Sequence, residues 1–97
     1  MPEMHFSVRW PDGEVTRCYS PSLVVRDYLE VGRVYALSDF MERSDTMLNI
    51  GSERVRAKYG YACSAALDQL GELRERAQAY AADAQVTVTA FEVPEGF

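Results

Sequence analysis

Residues 51–70 read GSERVRAKYGYACSAALDQL, and the arrangement of the whole chain turns on how the helical pattern inside them is divided. Ser52 suits a helix N-cap, its hydroxyl accepting a free backbone N–H of the first turn, and Glu53 then sits where the helix dipole favours an anion. Apolar residues follow at Val55, Tyr59, Ala62, Cys63, Ala66, Leu67, Leu70, Leu73, Ala77 and Tyr80. Steps of three and four keep them on one helical face, while Asp68, Glu72, Glu75 and Arg76 face water. The long part is expected over 61–82. Gly60 leaves the division open. Inside a helix it costs about 1 kcal/mol relative to alanine, whereas at a helix end it supplies the left-handed conformation at almost no cost. The apolar phase runs on across it, as in one helix; Tyr59 and Tyr61 on either side favour a break or kink.

Outward from this stretch, the N-terminal segment EMHFSVRW (3–10) alternates, with Met4, Phe6, Val8 and Trp10 on one face and His5, Ser7 and Arg9 on the other. That is a half-buried strand. Pro11-Asp12-Gly13 is turn chemistry, with glycine taking positive φ as a bulge. A second strand over 14–20 returns antiparallel. A three-residue loop places Cys18 opposite Phe6 on the inward face, whereas a two-residue loop brings Val15, Arg17 and Tyr19 inward; the Pro-Asp-Gly order favours the first. Residues 23–29 read as an extended or irregular segment turning at Gly32, although Pro21 could equally open a short helical turn. Ser38 is expected to cap a helix with an apolar stripe of Phe40, Met41, Met47 and Leu48, interrupted by Ser44 and ending near Asn49 to Gly51. After the long helix, Gln85 to Val93 alternates with β-branched content, placing Val86, Val88 and Ala90 against Thr87, Thr89 and Phe91. Pro94 stops it, and Glu95-Gly96-Phe97 reads as a loose tail.

The fold class is therefore α+β. The N-terminal hairpin and the C-terminal strand form an antiparallel sheet of three or four strands, with two or three helices packed on one face. Ninety-seven residues make one domain. Its open sheet edges invite a homodimer across an edge or the aromatic-rich face.

Ten basic against fifteen acidic residues give a net charge of −5, which repels phosphate backbones and argues against nucleic-acid binding and transcriptional regulation. No apolar run approaches the ~18 residues of a membrane span, and the first residues lack the pattern of a signal peptide, so a cytoplasmic location is expected. Cys18 and Cys63 are too few for a disulfide framework and read as small core residues. Tight ligand pairs for zinc are missing, and His5 and Cys18 belong to opposite faces, so neither a metal nor a cofactor is expected. Cys63, near the start of the long helix, is the best candidate nucleophile, but the single histidine lies on a distant strand. Arg54, Arg56 and Lys58 follow the presumed helix start. Ser52, Arg54 and Lys58 thus form a candidate anion site, with Arg54 and Lys58 on one face. The plainer reading is a solvated helix face paired with Glu53 and other carboxylates.

MPEMHF-VRWPDG, CYSPS, SERVRAKYG and ACSAA--QL together resemble a family of small bacterial nitrogen-starvation-response proteins, and the resemblance covers nearly the whole chain. It implies a cytoplasmic accessory role in nitrogen metabolism, among genes for a nitrilase-type hydrolase, a radical-SAM protein and an acetyltransferase, and it carries no catalytic residues. The expected function is that of a non-enzymatic accessory or binding protein partnering such enzymes. The alternative is a small ligand-binding domain or enzyme using the anion site near Ser52.

Overall fold

A computed structural model describes residues 3–94; the tail 95–97 lies outside them. The elements run β1 (Met4–Arg9), β2 (Val15–Ser20), α1 (Val25–Tyr28), β3 (Val34–Ala36), α2 (Leu37–Tyr59), α3 (Ser64–Ala77) and β4 (Gln85–Glu92). The strands form one antiparallel sheet in the order β2-β1-β4-β3.

The hairpin takes the register that its turn residues favour. Phe6 pairs with Cys18, Gly13 has φ of 90°, and the Asp12 carboxylate accepts the Glu14 N–H at 2.9 Å. The inward face of β1, Met4, Phe6, Val8 and Trp10, is fully buried with Cys18, Val86 and Val88, and α2 and α3 supply the opposing surface through Phe40, Met47, Leu48, Leu70 and Leu73.

β4 departs from strict alternation. Val8 faces Val88 but Ser7 faces Ala90, so Thr89 is the extra residue of a β-bulge. The bulge reverses the side-chain phase, bringing Phe91 opposite Phe6 and into contact with the core in place of Ala90. A bulge of this kind leaves no mark in a run of β-branched residues.

The helices are divided differently from the sequence expectation. α2 does not stop near Asn49 to Gly51; it runs unbroken to Tyr59. Gly51 is not punctuation. A Cβ there would stand 3.1 Å from the Pro21 ring, so glycine lets α2 press against the chain leaving β2. The break falls at Gly60, with φ of 85° and its N–H on the Arg56 carbonyl at 2.8 Å, a left-handed cap. α3 begins at Ser64, and the expected span of 61–82 contracts to 64–77 as i→i−3 bonds tighten the chain over Gln78 to Tyr80.

Ser38 is not the cap of α2, which starts one residue earlier. Its first donors, Leu37 and Ser38 N–H, are accepted by the carbonyls of Ala84 and Ala82 at 2.8 and 2.9 Å, so tertiary structure does the work of a cap. The Leu23–Leu29 segment, read as extended or irregular, instead holds the short helix α1, the alternative that Pro21 left open, and the chain then turns at Gly32 as expected. Leu67 was expected in the core but is exposed; α3 instead buries Ala66, Gln69, Leu70 and Leu73. That rotation lets Gln69 Oε1 accept the Tyr19 N–H at 2.9 Å, satisfying a donor on the β2 edge. The other edge, β3, is three residues long; both devices blunt edge pairing.

Leu70 is 2% exposed beneath the sheet, so Leu70→Ala should destabilise the protein by about 2–5 kcal/mol, measured by urea unfolding. Leu67→Ala, on the exposed side of the same helix, should change stability by less than about 1 kcal/mol.

Candidate functional site

The three residues of the candidate anion site separate in the structure. Ser52 lies inside α2, buried, and its Oγ accepts the Cys63 N–H at 3.2 Å. It therefore clamps the entry to α3 and offers no helix N-terminus to a ligand. Arg54 is two residues on, about 200° around the helix, and donates from Nη1 to Ser22 Oγ at 2.8 Å. That hydroxyl also accepts the Val24 N–H at 3.2 Å, which ties the start of α1 to α2. Lys58 shares the Arg54 side of the helix and stands 5.4 Å from the centre of the Tyr59 ring. The structure thus brings Arg54 and Lys58 together and sends Ser52 elsewhere. Among the described residues neither cation has a carboxylate partner, whereas Arg56 pairs with Glu53 at 3.6 Å.

Around this basic end lies an apolar surface that the periodicity concealed. Tyr59, Tyr61 and Leu67 are 50%, 67% and 44% exposed, although Tyr59 and Leu67 belong to the stripe whose spacing reads as buried. The left-handed turn at Gly60 takes both tyrosines out of the core and leaves the rings 6.3 Å apart. Just before this corner, Asp45, Thr46, Asn49, Ile50, Glu53, Arg54 and Ala57 line an open depression of about 740 Å³ along α2. The corner is thus a half-aromatic surface, built on two helix ends and carrying cations.

A second concentration of polar groups surrounds Trp10. Its Nε1 donates to Thr16 Oγ1 at 2.9 Å, Tyr80 stacks on the indole at 6.0 Å, and the Arg76 guanidinium lies 5.5 Å above it while bridging Asp12 and Glu14. The Asp12 carboxyl is held below its usual range, first by the Glu14 N–H and then by the Tyr80 hydroxyl. These contacts lock the hairpin turn to the end of α3, and the groups satisfy one another.

The thiols differ. Burial pushes Cys18 up to about 12, which leaves it protonated and inert at neutral pH. Cys63, half-buried, forms the N-cap of α3. His5 faces away from Cys18 across the sheet and packs edge-on against Tyr19 at 5.8 Å. No helix among the described residues is long and apolar enough to cross a membrane.

A family model described as nitrogen starvation-induced protein NitG matches residues 5–91. Neither the curated proteins nor the solved structures gave a match.

Iodoacetamide should modify one thiol of the folded protein, Cys63, and both thiols after denaturation. Mass spectrometry that finds Cys18 alkylated at neutral pH without unfolding would contradict its burial.

Proposed function

The chain belongs to the family of nitrogen starvation-induced proteins, and from that premise we propose that it is a non-enzymatic accessory protein of the bacterial nitrogen-starvation response. It acts in the cytoplasm by docking onto nitrogen-metabolism enzymes encoded beside it. The observation that carries this reading is the α2–α3 corner. Tyr59 and Tyr61 are exposed on either side of a turn fixed by Gly60 and by the Ser52–Cys63 hydrogen bond, and Leu67 is exposed on α3 just beyond it. Tyrosine and arginine dominate the energetic centres of protein interfaces, and large apolar side chains grouped on a rigid surface are what a partner covers. The inert Cys18 and the mutually satisfied groups around Trp10 support binding over covalent chemistry.

Titration of the protein with the purified nitrilase-type hydrolase and acetyltransferase tests the reading. At least one should bind, and Tyr61→Ala should weaken that complex by tenfold or more without lowering the melting temperature. Failure of the wild type to bind either enzyme at tens of micromolar removes the proposal.

A second reading rests on the Arg54–Ser22 contact, which holds a guanidinium beside Lys58 with no carboxylate attached. A small carboxylate or phosphate metabolite could be gripped there by the planar fork. Calorimetric titration with phosphate and short dicarboxylates should then show binding that Arg54→Lys weakens, since lysine lacks the fork. No heat at millimolar ligand discards this reading.

A further inference from the structure

Resting on the docking surface just described, we propose that the α2–α3 corner recognises an acidic, apolar-centred segment of its partner, with side-chain carboxylates meeting Arg54 and Lys58 and an apolar side chain covering Tyr61.

The first ground is charge. The chain carries a net charge of −5, yet Glu53 to Ala62 holds three of its ten cations, including its one lysine, against one anion. A cationic end on an acidic protein orients an acidic partner toward that end and turns it away from the remainder. The helix dipole by itself favours Arg56 and Lys58 in the last turn of α2. It does not account for Arg54, which lies ahead of that turn, or for exposed tyrosines.

The second ground is the pairing of those cations. Arg56 is engaged by Glu53 at 3.6 Å. Arg54 has one neutral contact, Ser22 Oγ, which orients the guanidinium and leaves most of its five N–H donors for a carboxylate. Lys58 lies beside the Tyr59 ring, so its ammonium is placed next to the aromatic surface. Elsewhere on the described surface, Arg17, Arg43, Arg74 and Arg76 are joined to Glu92, Asp39, Asp45 and Glu14. Arg9, Arg26 and Arg33, like Arg54 and Lys58, have no carboxylate partner among the described residues; what sets Arg54 and Lys58 apart is that they stand one turn apart on one helix face, next to the exposed tyrosines.

The third ground is shape. Ile50, Arg54 and Ala57 line the depression along α2 together with Asp45 and Glu53, whose carboxylates are engaged by Arg74 and Arg56, and Lys58 to Tyr61 follow directly in the chain. With those two carboxylates already paired, the cations without an anion on this track are Arg54 and Lys58, set between Ile50, Ala57 and the tyrosines, which suits a segment in which carboxylates flank an apolar side chain. Recognition of acidic motifs by clustered cations is a recurrent mode of peptide binding.

The test uses fluorescence anisotropy of the full chain with a labelled DEELFDEE peptide, its basic counterpart KKKLFKKK and a single-stranded oligonucleotide of equal charge. The acidic peptide should bind, more weakly by tenfold or more at 0.5 M salt, and Arg54→Glu with Lys58→Glu should reduce its affinity by tenfold or more. Tyr61→Ala should weaken the binding that survives at high salt. Circular dichroism of each variant, at exposed positions, establishes that it is folded. No binding of the acidic peptide, equal binding of the basic one, preference for the oligonucleotide, or indifference to charge reversal each overturns the inference. If a nitrogen-metabolism enzyme still binds through Tyr61 with an affinity that neither salt nor charge reversal changes, the docking reading stands and only its acidic chemistry falls. If neither enzyme nor peptide binds, both fall.

Discussion

Burial of one face of β1 governs the rest of the structure. Met4, Phe6, Val8 and Trp10 are all inaccessible, and β1 is flanked by β2 and β4. A strand placed there has its backbone paired on both edges and its inner side chains covered by helices. Each large apolar side chain so buried contributes roughly 1.5–3 kcal/mol. The helices must therefore span this strand and cover it closely. α2, at 23 residues, reaches about 34 Å, more than the length of the sheet. Trp10 closes the far end, meeting Phe40 edge-on at 6.1 Å and Tyr80 face-on at 6.0 Å, so that the hairpin, α2 and the end of α3 converge on one indole.

Close packing then decides where small residues are needed. Gly51 against Pro21 brings α2 onto the segment leaving β2. Ser20, Ser22 and Ser52 are buried beside that contact, and each hydroxyl finds a partner: Ser20 Oγ donates to the Ser22 carbonyl at 2.8 Å, Ser22 Oγ accepts from Arg54 and Val24, and Ser52 Oγ accepts from Cys63. Ser44 is the exception, buried without a hydrogen-bond partner among the described residues. An unpaired hydroxyl costs about 1–3 kcal/mol, and its presence in the apolar stripe of α2 is a cost to stability that no contact in the structure explains.

Function and fold meet at the end of α2. The cap that ends the helix at Gly60 also turns two tyrosines outward, and the hydrogen bond that fixes Arg54 also anchors α1. The surface proposed for recognition is thus held by the elements that complete the core. A surface fixed in this way would lower the entropic cost of the proposed binding, and its cations would orient a partner on a chain whose overall charge is negative.

The two strands of the hairpin, their register and the C-terminal strand were legible in the sequence because a period of two and the Pro-Asp-Gly turn are local signals. The basic group at Arg54 and Lys58 was legible for the same reason. The division of the helices was not. Gly51-Ser52 carries the chemistry of a helix start and Ser38 that of a cap, but propensities of this size, about 1 kcal/mol, yield to packing. Contact with Pro21 keeps Gly51 inside α2, and the carbonyls of Ala82 and Ala84 replace a side-chain cap at its start. Tyr59 and Leu67 fit the apolar period as well as Leu70 does. Whether a residue of that period within α3 faces the core or the solvent depends on how α3 rolls against β2, and the roll that buries Ala66, Leu70 and Leu73 also carries Gln69 to the edge of β2. Local sequence therefore determined the hairpin, the C-terminal strand and the cations, while tertiary structure decided the short edge strand β3, which forms by pairing with β4, and which apolar side chains were left outside, because both edge pairing and helix rotation are fixed by partners distant in the chain.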